Sequence, residues 1–149
     1  MKAMVYTAAL CTLAACAAMP AEQGKTAAAE QTVPAAETLS GNWRITRLGE
    51  ENLPADTRAR LSFDAAKNSF GGNAGCNNLF GGYTAANGSL KFGGVASTRM
   101  ACFAPIMTRE KIMIEALNRT AAYGFDNGAL VLLDAQNKPL LKAVRSAGM

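Results

Sequence analysis

Histidine is absent from these 149 residues, so no Ser-His-Asp or Cys-His nucleophile can be assembled and the commonest zinc and haem ligand is missing. Aromatic residues make up only 7 %, with a single Trp. There is no GxxxxGK[ST] stretch and no GxGxxG at a strand-to-helix junction, which excludes the usual phosphate-cradling loops. No CxxC pair is present either, which argues against a dithiol redox motif. The length suffices for one domain and a short appendage, not for two cores.

Half of the residues are apolar, but 30 of them are Ala and 13 of those lie in positions 1–40. Packing material comes later: from Gly41 onward there are 24 Leu, Ile, Val and Phe, with Trp43, Tyr83 and Tyr123 beside them. Between Ala17 and Ser40 the only large aliphatic side chains are Met19, Val33 and Leu39. Such a stretch cannot offset its own ordering entropy and is expected to be a solvated tether.

The chain starts Met1-Lys2, continues with an apolar run from Ala3 to Leu13, and reaches Ala14-Ala15-Cys16. The run is well short of the roughly 20 residues of a membrane-spanning helix and reads as a secretory signal. Leu13-Ala14-Ala15-Cys16 resembles the bacterial lipobox, in which the chain is cut on the N-terminal side of a cysteine that becomes diacylglyceryl-modified and N-acylated, with chains such as palmitate. The alternative is an ordinary signal peptide cut near Ala18 or Ala21, with Cys16 discarded. Two or more acyl chains on Cys16 would anchor the protein stably to a membrane. Ala17, in place of an Asp that would resemble an inner-membrane retention signal, points to the outer membrane of a Gram-negative envelope. The domain there could face the periplasm or the surface. The expected organisation is a signal peptide over 1–15, an acylated cysteine and disordered tether over 16–40, and a folded domain over 41–149.

From Gly41 the pattern changes to short alternating segments separated by turn residues. Asn42 to Thr46 and Arg60 to Asp64 alternate, Ser69 to Gly72 and Leu79 to Thr84 follow, and Asn87-Gly88 is a strong hairpin signal leading to Leu90 and Phe92. Pro105 can open a helix whose residues Ile106, Glu110, Met113 and Leu117 recur at helical spacing, widened by Ile112 and Ala116. Tyr123 to Phe125, Ala129 to Leu133 and Leu140 to Val144 then read as three more strands. The fold class is α+β and mainly β: a single small domain of about eight antiparallel strands curled toward a barrel with one packed helix. Gly71, Gly72, Gly81 and Gly82 in adjacent strands permit coiling or close backbone approach.

GGNAGCNNLFGGY (Gly71 to Tyr83), with GNWRI at Gly41 to Ile45, ASTRMAC at Ala96 to Cys102 and LVLLDAQNKPLL at Leu130 to Leu141, resembles the META domain, the HslJ-like family of small bacterial envelope proteins. The likeness spans nearly all of residues 40–145. It implies a compact antiparallel β domain with one helix, often lipid-anchored or periplasmic, associated in some members with heat shock and novobiocin tolerance. It brings no catalytic chemistry, and a structural similarity of the family to barrel-like pilotins suggests lipid held in an apolar cavity.

With Cys11 removed and Cys16 acylated, Cys76 and Cys102 remain, and an even pair in an oxidising compartment favours a disulfide over two buried thiols. Arg99 could bind an anion, but an Arg beside a packed turn more often serves backbone carbonyls or a carboxylate such as Glu110. For Asn77 and Asn78 a left-handed turn conformation is the default reading, a catalytic amide the sharper one. Trp43, Phe63, Phe70, Phe80, Phe92 and Phe125 would form the core or line a cavity. Asp64, Glu110 and Asp126 are the carboxylates available to a wall hydrolase, though a turn or helix face accounts for each. From position 41 on, 13 Lys and Arg face 8 Asp and Glu; the basic residues are scattered, which speaks against nucleic acid. The sequence is thus read as a monomeric, non-catalytic outer-membrane lipoprotein without cofactor or metal. It would act in envelope maintenance or stress tolerance by binding an envelope protein, or alternatively as a carrier of lipid or another small apolar ligand.

Overall fold

The computed structural model describes residues 39–147. The expected signal segment, Cys16 and the tether up to residue 38 lie outside the described residues. The strands are β1 (Gly41–Leu48), β2 (Glu51–Asn52), β3 (Arg60–Asp64), β4 (Ser69–Asn73), β5 (Asn78–Ala86) and β6 (Ser89–Ser97). After helix α1 (Ala104–Arg119) come β7 (Ala122–Asp126), β8 (Ala129–Leu133) and β9 (Pro139–Arg145). All pairings are antiparallel, and β1 bonds to β3 on one edge and to β9 on the other, so eight strands close a barrel while β2 extends one edge of β1.

Alternation decides which residues face inward. Trp43 and Ile45 on β1, Leu61 and Phe63 on β3 are buried as the period-2 pattern requires. The strand predicted to end at Thr46 continues to Leu48, because β1 carries a bulge: Ile45 faces Ala143, but Arg47 already faces Lys142. One extra residue re-phases the strand and turns Leu48 inward, a step that strict alternation cannot foresee. A second bulge lies on β6, where Phe80 faces Ala96 and Gly82 faces Gly93, with Gly94 at φ 80°. The Asn87-Gly88 and Asn127-Gly128 pairs both take positive φ, as two-residue hairpins demand.

α1 crosses from β6 to β7, which share only the Ser89–Ala122 pair. Pro105 stands in its first turn, and Glu110, Met113, Ala116 and Leu117 form its buried stripe. Met113 reaches the barrel wall at Gly72, where a Cβ would come within 3.0 Å of both the Met113 methyl and Leu61. Glycine there lets helix and sheet meet, the close approach expected for this part of the chain.

A contiguous cluster of buried side chains occupies the interior. Phe63 packs edge-on to Tyr83 at 5.2 Å and Phe70 edge-on to Phe92 at 4.7 Å between ring centres. The expected aromatic set divides, however: Phe80 and Phe125 are 50 % and 43 % exposed. Phe80 follows the inward Leu79 and so points outward by alternation. Leu39, which composition groups with the tether, is fully buried, its carbonyl accepting from Trp43 Nε1 at 2.8 Å.

Candidate functional site

The polar residues that the sequence singles out converge where the loop after β4, the segment after β6 and the first half of α1 meet. Cys76 and Cys102 form a disulfide across 26 positions, their Cα atoms 6.1 Å apart, within the usual range. Beside it, Asn77 is 2 % exposed and Glu110 5 %. The Asn77 backbone N–H donates to Glu110 Oε2 at 2.7 Å and its Nδ2 donates to Oε1 at 2.9 Å. Asn77 Oδ1 accepts from Met100 N at 2.7 Å and Thr98 Oγ1 at 2.9 Å, while Nδ2 also donates to the Met100 carbonyl at 3.2 Å. One amide thus pins three chain segments, and both oxygens of a buried carboxylate are engaged, as burial requires.

This differs from the expected geometry. Asn77 and Asn78 are not left-handed; among the described residues the non-glycine ones with positive φ are Asn68, Asn87, Asn127 and Asn137. Asn77 has to be read as a hub, and Asn78 accepts from Asn73 Nδ2 through its side-chain oxygen at 3.1 Å. Arg99 is exposed and reaches neither backbone carbonyls nor Glu110; it has no hydrogen bond or ion pair among the described residues. Glu110, expected as one of the groups that an Arg beside a packed turn could serve, is instead satisfied by the Asn77 backbone N–H and side-chain amide.

The remaining carboxylates are engaged separately. Asp64 at the end of β3 accepts from the Ala66 and Lys67 N–H groups and pairs with Lys67 Nζ at 3.2 Å. The Lys67 hydrogen bonds hold its carboxyl below the usual range. Asp126 pairs with Lys142 at 2.6 Å, which likewise lowers it. Inside the barrel the Tyr83 hydroxyl is buried without a hydrogen-bond partner among the described residues. Burial raises this phenol above its ordinary value, and Asp64 and Tyr123 add to the shift. Among the described residues no cluster of His, Cys, Asp and Glu could hold a metal ion, and no helix is long and apolar enough to cross a membrane.

The clamp displays something the sequence reading missed. Met100, Phe103 and Met107 are 56 %, 75 % and 37 % exposed, the first two on the short segment that Asn77 and the disulfide hold and Met107 in the first turn of α1 that follows it. An apolar run with neither strand nor helix periodicity, Met100 to Phe103 between β6 and α1, is the signal that could have found the first two. Large apolar side chains held out to solvent by a rigid support form a tip suited to docking.

Comparison with known proteins agrees with the fold. A family model described as the META domain matches residues 36–147. A protein from Burkholderia xenovorans solved by NMR superposes with a TM-score of 0.62 at 22 % identity, covering 87 % of this chain and all of that one. A second NMR structure gives 0.61 at 23 %, over 76 % of this chain and 96 % of the other. A DUF4847-family protein from Bacteroides vulgatus gives 0.52 at 16 %, over 75 % and 96 %. No curated protein matches.

Proposed function

Because this chain belongs to the META-domain family, we propose that it is a non-catalytic, lipid-anchored envelope protein, serving envelope maintenance or stress tolerance by docking an envelope partner through its Met100, Phe103 and Met107 tip. The exposure of these three side chains on a clamped segment carries the reading. The partner is a protein with an apolar groove, since a methionine and phenylalanine cluster adapts to and fills such a surface. The lipobox at Cys16 supports the anchor.

A photoreactive residue at Phe103 or Met107 of the full chain, made in its own envelope, should give one discrete crosslinked product that the same residue at Lys138 does not. Loss of that product on Met100→Ser, with the protein still at normal level, completes the expectation. Indiscriminate or absent crosslinking would overturn the docking reading. For the anchor, Cys16→Ser should release the protein from the membrane fraction and lower its mass by the acyl chains; unchanged fractionation and mass would exclude it.

A second reading, a carrier of an apolar molecule, is favoured by the enclosed and unpartnered Tyr83 hydroxyl, which a ligand's polar group could satisfy. Against it stand the side chains that occupy the barrel interior. A stoichiometric adduct in native mass spectrometry of the protein purified without added lipid would make the carrier reading the leading one.

A further inference from the structure

The outer face of the barrel holds two arginines in an arrangement that costs stability. Alternation on β1 and β3 turns Arg44 and Arg60 outward, and the strand register sets them directly opposite each other. Like charges opposed across an antiparallel pair repel, and both are only partly exposed, which weakens screening by water. Neither guanidinium has a hydrogen bond or ion pair among the described residues. Asp64, Glu51, Asp126, Asp134 and Glu50 pair with other cations, and Glu110 is held by Asn77; Asp56 and Glu115 form no ion pair with either arginine.

A groove begins at Arg60, with Arg44 standing across from it just outside the lining. Register places Asn42, Ser62, Gly71 and Phe80 side by side across four strands, and together with Arg60 and Asn78 they line a hollow of about 420 Å³. Its floor is open because Gly71 lacks a side chain; a Cβ there would meet Ser62 Oγ at 3.0 Å. Phe80, half exposed, offers an apolar wall, and the amides and hydroxyl offer neutral hydrogen-bonding groups.

We propose that this groove is a binding site for a phosphate ester, with the phosphate between Arg44 and Arg60 and the organic body lying along Asn42 and Ser62 against Phe80. Two unneutralised guanidinium groups call for about two negative charges and several acceptor oxygens, which a phosphomonoester supplies and a single carboxylate does not. The hollow is far larger than a bare phosphate, so the ligand has a body, and the polar rim suits a hydroxylated one. Arginine is the side chain that best matches such an oxyanion. The site does not depend on the tip reading above.

The test uses the full chain in non-ionic detergent, by calorimetry and thermal shift, with glucose 1-phosphate, glycerol 3-phosphate, inorganic phosphate, glucuronate and sodium chloride at matched ionic strength. Phosphatidic acid and phosphatidylcholine vesicles test for a lipid-borne phosphate. Saturable binding of the soluble esters is expected, weakened about tenfold or more by Arg44→Gln and by Arg60→Gln, with Phe80→Ala weakening glucose 1-phosphate but not inorganic phosphate. Without ligand, the two arginine variants should melt at the same temperature as the parent or higher, because each removes a like-charge repulsion. Response to phosphatidic acid vesicles alone, abolished by the same variants, supports the site and assigns the phosphate to a lipid headgroup. The proposal is overturned if chloride reproduces every shift or if glucuronate binds as well as glucose 1-phosphate. Arginine variants that lower the melting temperature and leave ester binding intact would overturn it too.

Discussion

Asn77 and Glu110 hold each other across 33 positions of sequence by two hydrogen bonds, one from backbone and one from side chain, both shorter than 3.0 Å. The pair joins the glycine-rich loop to α1, and through Met100 it also sets the position of the exposed tip. Asn77→Ala should therefore lower stability by about 3 kcal/mol, because hydrogen bonds to a buried carboxylate are strong and the acceptor left behind has no water to turn to. Urea unfolding of the two single alanine variants and of the double should show a coupling of about 1–3 kcal/mol; additive effects would mean that the two residues act independently.

Reducing the Cys76–Cys102 bond should cost about 3–4 kcal/mol from the entropy of the 26-residue separation it closes. The loss should appear as a lower urea midpoint in the presence of reductant, absent in the Cys76→Ser/Cys102→Ser variant. Thiol titration of the untreated protein after unfolding should find neither of these cysteines free.

Asp134 makes acid sensitivity local. Its Oδ1 accepts the Lys138 and Gln136 N–H groups, both at 2.9 Å, and its Oδ2 meets Arg119 at 3.0 Å. These contacts, the Lys138 N–H foremost, lower its pKa from the ordinary 3.8. A carboxyl whose folded value lies below its unfolded one contributes stability that is complete above the unfolded value and is lost as pH falls through the folded one. Asp134→Asn should accordingly be less stable than the parent at neutral pH, with the difference narrowing below about pH 4. A gap that stays constant from pH 7 to pH 2 would contradict the assignment.

The glycines of β5 should separate sharply. A Cβ on Gly81 would run into the Gly94 carbonyl oxygen and the Phe70 ring, whereas one on Gly82 would rest 3.6 Å from the Asn68 carbonyl. Gly81→Ala should cost about 1–3 kcal/mol through overpacking, and Gly82→Ala less than about 0.5 kcal/mol. Thermal denaturation of the two single variants measures both.

Local order was largely legible in the chain. Alternation in Arg60 to Asp64, the Asn87-Gly88 turn and Pro105 ahead of a helical stripe depend on neighbours within a few residues, and the cysteine pair follows from a tally that leaves two to join; the structure has these features where the sequence puts them. What was not legible depends on distant partners. The bulge that turns Leu48 inward answers to β9, nearly a hundred positions away. Glu110 sits on the apolar stripe of α1, but only the folded chain shows that its partner is Asn77 rather than Arg99. Phe80 and Phe125 are as apolar as Phe63, and whether each lies in the barrel or outside it is decided by phase and by the barrel's rim.

The sequence by itself determined the class of structure, because strand, turn and helix preferences are short-range and here they agree with one another. Only the tertiary structure decided which polar groups are clamped and which are left unneutralised. Those outcomes follow from barrel closure and strand register, which bring Arg44 to Arg60 and Asn77 to Glu110 and which no window of neighbouring residues contains.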